Sequence, residues 1–171
     1  MYFFKKKIRI PSTISMIKDN AFSLCKSLEQ ISIPSTVKYL GENIFYKCKS
    51  LKKLVLHTSL STIKKGAFLR SSISEIIIYS NITYLSENIF KECFSLSKIS
   101  IPLSVKKIEL NAFYQCYLLK EIEIPCSVKY IRDYAFYECK SLKKVSIYSD
   151  AILFGICVFG QCSSLTEINI H

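Results

Sequence analysis

Aliphatic residues recur along this chain at an interval of 23 residues, with a single interval of 22. The series consists of Ile8, Ile31, Leu54, Ile76, Ile99, Ile122, Val145 and Ile168. Another aliphatic residue follows each of them two positions later. Self-similarity at a fixed period is typical of repeat architectures, so the pattern divides the chain into about seven units.

The beginning of each unit predicts a short strand. Two aliphatic residues flank a single residue, and this period of two places the aliphatic side chains inward and the residue between them outward. Proline cannot donate a hydrogen bond to a neighbouring strand, so the strand is expected to end where a proline follows. Prolines follow in four units, at Pro11, Pro34, Pro102 and Pro125.

The second half of each unit is built around a phenylalanine. These residues are Phe22, Phe45, Phe68, Phe90, Phe113, Phe136 and Phe159. In four units an asparagine lies two residues earlier, at Asn20, Asn43, Asn88 and Asn111. Because asparagine is a favoured N-cap residue, we expect a single helical or 3₁₀ turn at each phenylalanine.

No unit of this size buries its apolar side chains alone, whereas a stack of units encloses a continuous core. The predicted fold is therefore an α/β repeat solenoid. Each coil is expected to place a strand in a parallel sheet on one side and a short helical or 3₁₀ turn on the other. We expect a single domain over residues 1–171, made of about seven units and lacking proper end caps.

The full repeat reads Leu-x-x-Ile-x-Ile-Pro-x-x-Val-x-x-Ile and then Ala-Phe-x-x-Cys-x-x-Leu, most completely in residues 28–48 and 119–139. This pattern resembles the BspA-like leucine-rich repeats, and the resemblance extends from Ile8 to His171. It implies a leucine-rich-repeat coil that acts as an adhesion or recognition surface, without catalytic residues or a cofactor. It also implies a location at the cell surface.

The chain carries few signals of other functions. Its first residues, Met1 to Lys7, place apolar residues before charged ones, which is the reverse of a secretory signal peptide. No run approaches the roughly 18 apolar residues of a membrane-spanning helix. The two histidines lie near no serine or cysteine in a nucleophile pattern, and the four glycines form no phosphate-binding loop. We therefore expect neither an enzyme nor a cofactor, and a cytoplasmic location if the chain is not at the surface.

Six of the eight cysteines share one repeat position, three residues after the phenylalanine. They are Cys25, Cys48, Cys93, Cys116, Cys139 and Cys162, and Ser71 takes this position in the third unit. A small apolar thiol suits a buried corner, which favours a packing role over metal ligation or disulfides. Metal sites use clustered ligands, and no Cys-x-x-Cys pair is present. Cys126 and Cys157 lie outside this column and are predicted to be accessible.

One candidate binding site lies on the outward side of the predicted strands. The residue between the paired aliphatics is polar in six units but apolar at Val55 and Ile77, which belong to adjacent units. The same two units carry His57 and Tyr79 in place of proline. We predict that these four residues form one patch that binds a protein partner, whose identity the sequence does not give. The alternative interpretation is ordinary variation between repeats, since single exposed apolar residues are common.

A second candidate site is electrostatic. The net charge of +11 favours acidic partners, and lysines are concentrated in the segments that lead into the strands. We call six of them the lysine flank: Lys47, Lys49, Lys52, Lys120, Lys140 and Lys143. A sulfated glycan, an anionic lipid or a nucleic acid is the alternative partner that this flank predicts. The structural interpretation is a solubilising edge.

Two further expectations concern the stack itself. The residues before the first aliphatic of each strand alternate in charge sign from Lys53 onward, which predicts a ladder of attraction between neighbouring coils. The last residues, Ile168 to His171, begin an eighth strand. An open strand edge pairs readily with another chain, so end-to-end self-association, or a longer native protein, is expected.

Overall fold

A computed structural model describes residues 6–149 and 151–171 of the chain. The first five residues, on which the argument against a signal peptide partly rests, lie outside this part. The described residues form a solenoid of about seven parallel coils. Coils 1 to 7 span residues 8–30, 31–53, 54–75, 76–98, 99–121, 122–144 and 145–167.

The odd-numbered strands stack in parallel along one side, as the period-two pattern predicts. They are β1 (Lys7–Arg9), β3 (Gln30–Ser32), β5 (Lys53–Leu56), β7 (Glu75–Ile78), β9 (Lys98–Ile99), β11 (Glu121–Ile124), β13 (Lys144–Ile147) and β15 (Glu167–Ile170). Each residue lies opposite its counterpart in the next coil, so that Ile122 pairs with Val145 and Glu123 with Ser146. The aliphatic side chains point into the core and the residues between them point outward, which confirms the predicted alternation.

A second row of parallel strands was missed by the sequence analysis. It consists of β2 (Met16–Ile17), β4 (Tyr39–Leu40), β6 (Thr62–Ile63), β8 (Tyr84–Leu85), β10 (Lys107–Ile108), β12 (Tyr130–Ile131) and β14 (Leu153–Phe154). Each strand is only two residues long, with its first side chain outward and, in β2 to β12, its second buried. Two residues are too few to show alternation in a sequence. Each coil therefore has two strand sides, and the prediction of a sheet on one side alone was wrong.

The expected helical or 3₁₀ turns were also wrong, since residues 6–149 and 151–171 contain no helix. The four asparagines do not act as N-caps. They have positive φ angles of 58°, 50°, 55° and 54° at Asn20, Asn43, Asn88 and Asn111. Asparagine tolerates this left-handed conformation better than most residues, and Gly66 takes the same position in coil 3 with a φ of 65°. A second left-handed residue follows four positions later in each coil, for example Gln115 in coil 5.

Hydrogen bonds between coils explain why no helix forms at the phenylalanines. In coil 5 the N–H groups of Asn111, Phe113 and Gln115 donate to carbonyls of coil 6 at distances of 3.2, 2.7 and 2.8 Å. The same three positions donate to the next coil in every coil from 1 to 6. A helix would require these donors for bonds within the turn. The turn side is therefore joined along the solenoid by its backbone, as the two strand sides are.

Phenylalanines form a continuous stack through the core. The seven rings, Phe22 to Phe159, lie with successive centroids 5.7, 5.5, 5.3, 5.3, 4.9 and 5.4 Å apart. The five inner rings are fully buried, and the apolar core around them is continuous along the coils. Within the described ranges, no helix is long and apolar enough to cross a membrane.

Candidate interaction surfaces

The outward side chains of the odd-numbered strands make up what we call the main strand face. Val55 and Ile77 lie opposite each other in the paired strands β5 and β7. Their exposed fractions are 42% and 37%, and Tyr79 beside them is 60% exposed. His57 is also exposed. The structure thus brings the four residues of the predicted patch to one place on one face, while binding to that patch remains a prediction.

An open groove of about 840 Å³ lies on the same face, over coils 4 to 7 and β15. Leu103, Glu123, Cys126, Tyr148 and His171 are among the residues that line it. The groove lies towards the C-terminal side of the patch, whose four residues do not contribute to its lining. The main strand face therefore offers two adjacent features, an apolar patch and a mixed polar and aromatic groove.

The aromatic pair in the groove was missed by the sequence analysis. The rings of Tyr148 and His171 stack with centroids 4.7 Å apart and an interplanar angle of 12°. Both residues occupy the position after the strand that proline fills in other coils, as His57 and Tyr79 do. Because these four positions lack proline, they keep a backbone donor; the N–H of Tyr148, for example, donates to Ile124 O at 2.9 Å. An aromatic residue in place of the usual proline is the sequence signal that identifies Tyr148 and His171.

Of the five neighbouring pairs in the column of alternating charge, two form ion pairs between coils on the main strand face. Lys53 Nζ lies 2.7 Å from Glu75 Oε2, and Lys144 Nζ lies 3.7 Å from Glu167 Oε2. The hydrogen bond and the charge of Lys53 lower the pKa of Glu75. Such exposed pairs contribute little to the free energy of unfolding because solvent screens their charges. They set the electrostatic balance of this face and leave it nearly neutral.

The lysine flank is not one continuous strip. Lys47, Lys49 and Lys52 belong to coil 2, whereas Lys120 lies in coil 5 and the remaining two in coil 6. Coils 3 and 4 have Ser72, Ser74, Phe94 and Ser97 at the positions that correspond to Lys49 and Lys52. At a strand spacing of about 4.8 Å, three coil steps separate the two clusters by roughly 15 Å.

Half of the lysine flank is held in contacts within the protein. The ammonium groups of Lys47 and Lys140 each lie 5.0 Å from a ring centroid, of Tyr46 and Tyr117 respectively. Lys49 Nζ donates to a backbone carbonyl, Arg70 O, at 2.9 Å. The other three, Lys52, Lys120 and Lys143, are exposed and form no ion pair with any described residue. Three of the six candidate lysines thus carry exposed charges that have no partner among the described residues.

The four inner members of the cysteine column, Cys48, Cys93, Cys116 and Cys139, are buried beside the phenylalanine stack, in agreement with the packing role predicted for the column, while Cys25 and Cys162 at its ends are partly exposed. From coil 2 onward, each thiol of the column donates to the carbonyl of the phenylalanine in the preceding coil, as Cys93 Sγ does to Phe68 O at 2.9 Å and Cys116 Sγ to Phe90 O at 3.3 Å. Burial raises the pKa of Cys48 and of Cys93 to about 12. These thiols stay protonated at neutral pH and are poor nucleophiles.

The two cysteines outside the column are exposed, as predicted. Cys126 lies in the lining of the main groove, and Cys157 occupies the left-handed position of the coil 7 turn with a φ of 50°. Across the described ranges, no three histidine, cysteine or acidic side chains come together in a way that would hold a metal ion.

Comparison with known proteins shows the repeat family that this chain matches. The family model of the BspA type leucine rich repeat region matches residues 4–118 and 84–171, with six copies of the repeat. No match is found among the curated proteins.

Several solved structures share the fold. A leucine rich repeat protein of T. pallidum is 29% identical with a TM-score of 0.89, over 95% of this chain and 79% of that one. A leucine-rich repeat protein from Eubacterium ventriosum is 26% identical with a TM-score of 0.85, over 95% of this chain and 44% of that one. A leucine rich cell surface protein from Faecalibacterium prausnitzii is 19% identical with a TM-score of 0.64, over 96% of this chain and 59% of that one. This chain thus spans less than two thirds of the latter two proteins.

Proposed function

The chain belongs to the family of BspA-type leucine-rich-repeat proteins, and we propose that it is a non-catalytic recognition module whose main strand face binds a protein partner. The family favours a surface or interaction module over an enzyme. The observation that carries the proposal is the exposure of Val55 and Ile77 opposite each other on two paired strands, with Tyr79 exposed directly after the second of these strands. Exposed apolar groups on a rigid face are typical of protein interaction sites, and tyrosine is enriched in them.

The proposed binding site consists of the apolar patch at its centre and of the adjacent groove. Val55, His57, Ile77 and Tyr79 form the centre, where apolar area is removed from water on binding. The groove with Tyr148 and His171 extends the same face towards β15. A partner that covers both features contacts coils 3 to 7, and the repeated parallel strands hold its contact residues at fixed spacings.

A paired substitution tests the proposal. Val55→Lys combined with Ile77→Lys places two ammonium groups in the centre of the patch. We expect the immobilised variant to lose the proteins that the immobilised wild-type chain captures from its source cells. The matched control is Leu24→Lys combined with Leu118→Lys, which changes two apolar residues of similar exposure, 51% and 49%, away from this face. Captured proteins are quantified by mass spectrometry, and circular dichroism checks that both variants keep the native spectrum. Equal capture by the patch variant and the wild type contradicts the proposal.

Binding of a polyanion by the lysine flank is the second candidate function. Lys52, Lys120 and Lys143 support it because their charges are exposed and unpaired among the described residues. It predicts retention on immobilised heparin that weakens steeply with salt, because binding releases counterions from the polyanion. End-to-end self-association also stays a prediction, and sedimentation velocity at several protein concentrations tests it.

A further inference from the structure

Positive charge is concentrated on the side of the solenoid that carries the even-numbered strands, which the sequence analysis missed. We call it the second-strand face: the first residue of each even-numbered strand, the residue before the strand and the residue after it. This face carries seven cations and one carboxylate, Glu109; the cations are Lys18, Lys38, Lys64, Lys106, Lys107, Lys129 and Arg132. The outward residues of the main strand face carry five cations and four carboxylates. The second-strand face thus carries a net charge of +6 over these positions.

The cations of the second-strand face are densest in coils 5 and 6, around Tyr130. Lys107 Nζ and the Arg132 guanidinium carbon lie 5.4 and 5.7 Å from the centroid of the Tyr130 ring. Arg132 Nε is 3.9 Å from Glu109 Oε2, while Lys106 is exposed one residue before Lys107. Positive charges concentrated on a surface attract anions strongly at low ionic strength.

An open groove of about 490 Å³ lies beside this cluster, between coils 4 and 5. Tyr84, Lys106 and Lys107 line it, together with Thr83, Ser86, Glu87 and Glu109. The Tyr84 ring is 39% exposed, and no cation or second ring lies over it among the described residues. The groove therefore combines an open aromatic ring, two ammonium groups, hydroxyls and two carboxylates within one small site.

This combination fits a sugar chain better than a single strand of DNA. Single-stranded nucleic acids bind by stacking successive bases on exposed rings, but Lys64 already lies 5.9 Å from the Tyr39 ring and Tyr130 is covered by two cations. Carboxylates accept hydrogen bonds from sugar hydroxyls, which a DNA strand does not have between its phosphates. Lysine ammonium groups bind sulfates as point charges, as they do phosphates.

We propose that the second-strand face binds a linear sulfated polysaccharide, with sulfates on Lys106, Lys107 and Arg132 and the apolar side of one sugar ring on Tyr84. The site is distinct from the main strand face, so this proposal does not depend on the protein-binding function. The positive charge of this face thus binds a single class of ligand, and the site lies away from the lysine flank.

Two variants of equal charge test the location of the site. The first is Lys106→Gln, Lys107→Gln and Arg132→Gln, and the control is Lys52→Gln, Lys120→Gln and Lys143→Gln; each variant loses three positive charges. Binding of heparin is measured by titration at several salt concentrations. We expect the first variant to lose about tenfold or more in affinity and to show a shallower salt dependence, a loss at least about threefold greater than that of the lysine-flank variant. Equal losses, or a larger loss in the control, overturn the proposal and favour the lysine flank.

Two further measurements test the ligand class. Tyr84→Ser is expected to weaken heparin binding about threefold or more while leaving the salt dependence unchanged, because it removes the ring but no charge. A single-stranded oligothymidine with the same number of charges as the heparin fragment is expected to compete at least about tenfold less well. Equal competition by the oligonucleotide, or full affinity of Tyr84→Ser, contradicts the sugar site. Thermal unfolding of each variant confirms that it remains folded, and capture through the main strand face is assayed separately with the Val55 and Ile77 variant.

Discussion

Individual residues stabilise this solenoid because the same residue recurs at the same position of successive coils and contacts the coils next to it. A phenylalanine ring contacts the rings of the coils before and after it, at centroid distances of 4.9 to 5.7 Å. A cysteine thiol of one coil donates to a phenylalanine carbonyl of the previous coil, as Cys139 Sγ does to Phe113 O at 3.2 Å. The burial of both columns was predictable from the sequence because they recur in nearly every unit. The thiol-to-carbonyl bond was not, since it depends on how far the coils are displaced along the axis.

The phenylalanine stack gives the first prediction at this scale. Phe113→Ala removes a fully buried ring that stacks on both Phe90 and Phe136, and we expect a loss of about 3–5 kcal/mol in the free energy of unfolding. The matched control is Phe94→Ala. Phe94 is 40% exposed and stacks only on Tyr117, so its loss should stay below about 1.5 kcal/mol. Urea unfolding measures both, and a loss below about 1 kcal/mol for Phe113→Ala contradicts a continuous core.

The buried thiols give a prediction about pH. Burial raises the pKa of Cys93 to about 12 from an ordinary value of 9.0, so the folded protein keeps this proton where the unfolded chain loses it. The contribution of Cys93 to stability is therefore complete below about pH 9 and is lost as the pH rises towards 12, by about 1.4 kcal/mol per pH unit.

Cys93→Ser is the matched variant, because Ser71 occupies the same repeat position in coil 3. The difference in free energy of unfolding between wild type and Cys93→Ser should shrink steadily from about pH 9 to about pH 10.5 under reducing conditions. The lysines titrate alike in both proteins, so their effect cancels. A difference that does not change with pH would show that this thiol is not held protonated by burial.

At the scale of elements, the sequence predicted the main strands well and the turns poorly. The strand pattern is visible because Ile122 and Ile124 alternate with outward residues over a whole strand. The even-numbered strands contain two residues each, and so leave no periodic signal beyond a buried aliphatic such as Ile131. Asparagine is favoured both at helix N-caps and in left-handed turns, so Asn111 alone does not distinguish the two. The hydrogen bonds to the next coil decide the outcome, and these appear only when the coils are stacked.

Two substitutions of Asn111 test the turn directly. At a φ of 54° alanine is strained and glycine is not, so Asn111→Gly should be more stable than Asn111→Ala by about 0.5–1 kcal/mol. In a helical turn the order would reverse, because alanine favours a helix over glycine by about 1 kcal/mol. Both variants lose the hydrogen bond from Asn111 Nδ2 to Asn88 Oδ1, so this contact cancels in the comparison. Chemical denaturation gives the order, and a more stable alanine variant would contradict the left-handed turn.

At the scale of the whole molecule, the stack produces surfaces that differ in chemistry although they come from one repeat. The main strand face is nearly neutral and carries the exposed apolar patch and a groove, whereas the second-strand face is basic. The patch was predictable because Val55 and Ile77 break a polar column in adjacent units. The second-strand face was not, because its cations are scattered in the sequence and come together only when seven coils bring one position of each repeat into register.

Site-specific photocrosslinking tests most directly the claim that the main strand face is the recognition surface. A photoreactive phenylalanine derivative replaces, one at a time, Tyr79 or Tyr148 on this face and Tyr134 on the turn side; all three are exposed. After irradiation with source-cell proteins, we expect adducts with the same protein at Tyr79 and Tyr148, and none with that protein at Tyr134. Adducts that form equally well at Tyr134, or at Tyr134 alone, would contradict the claim.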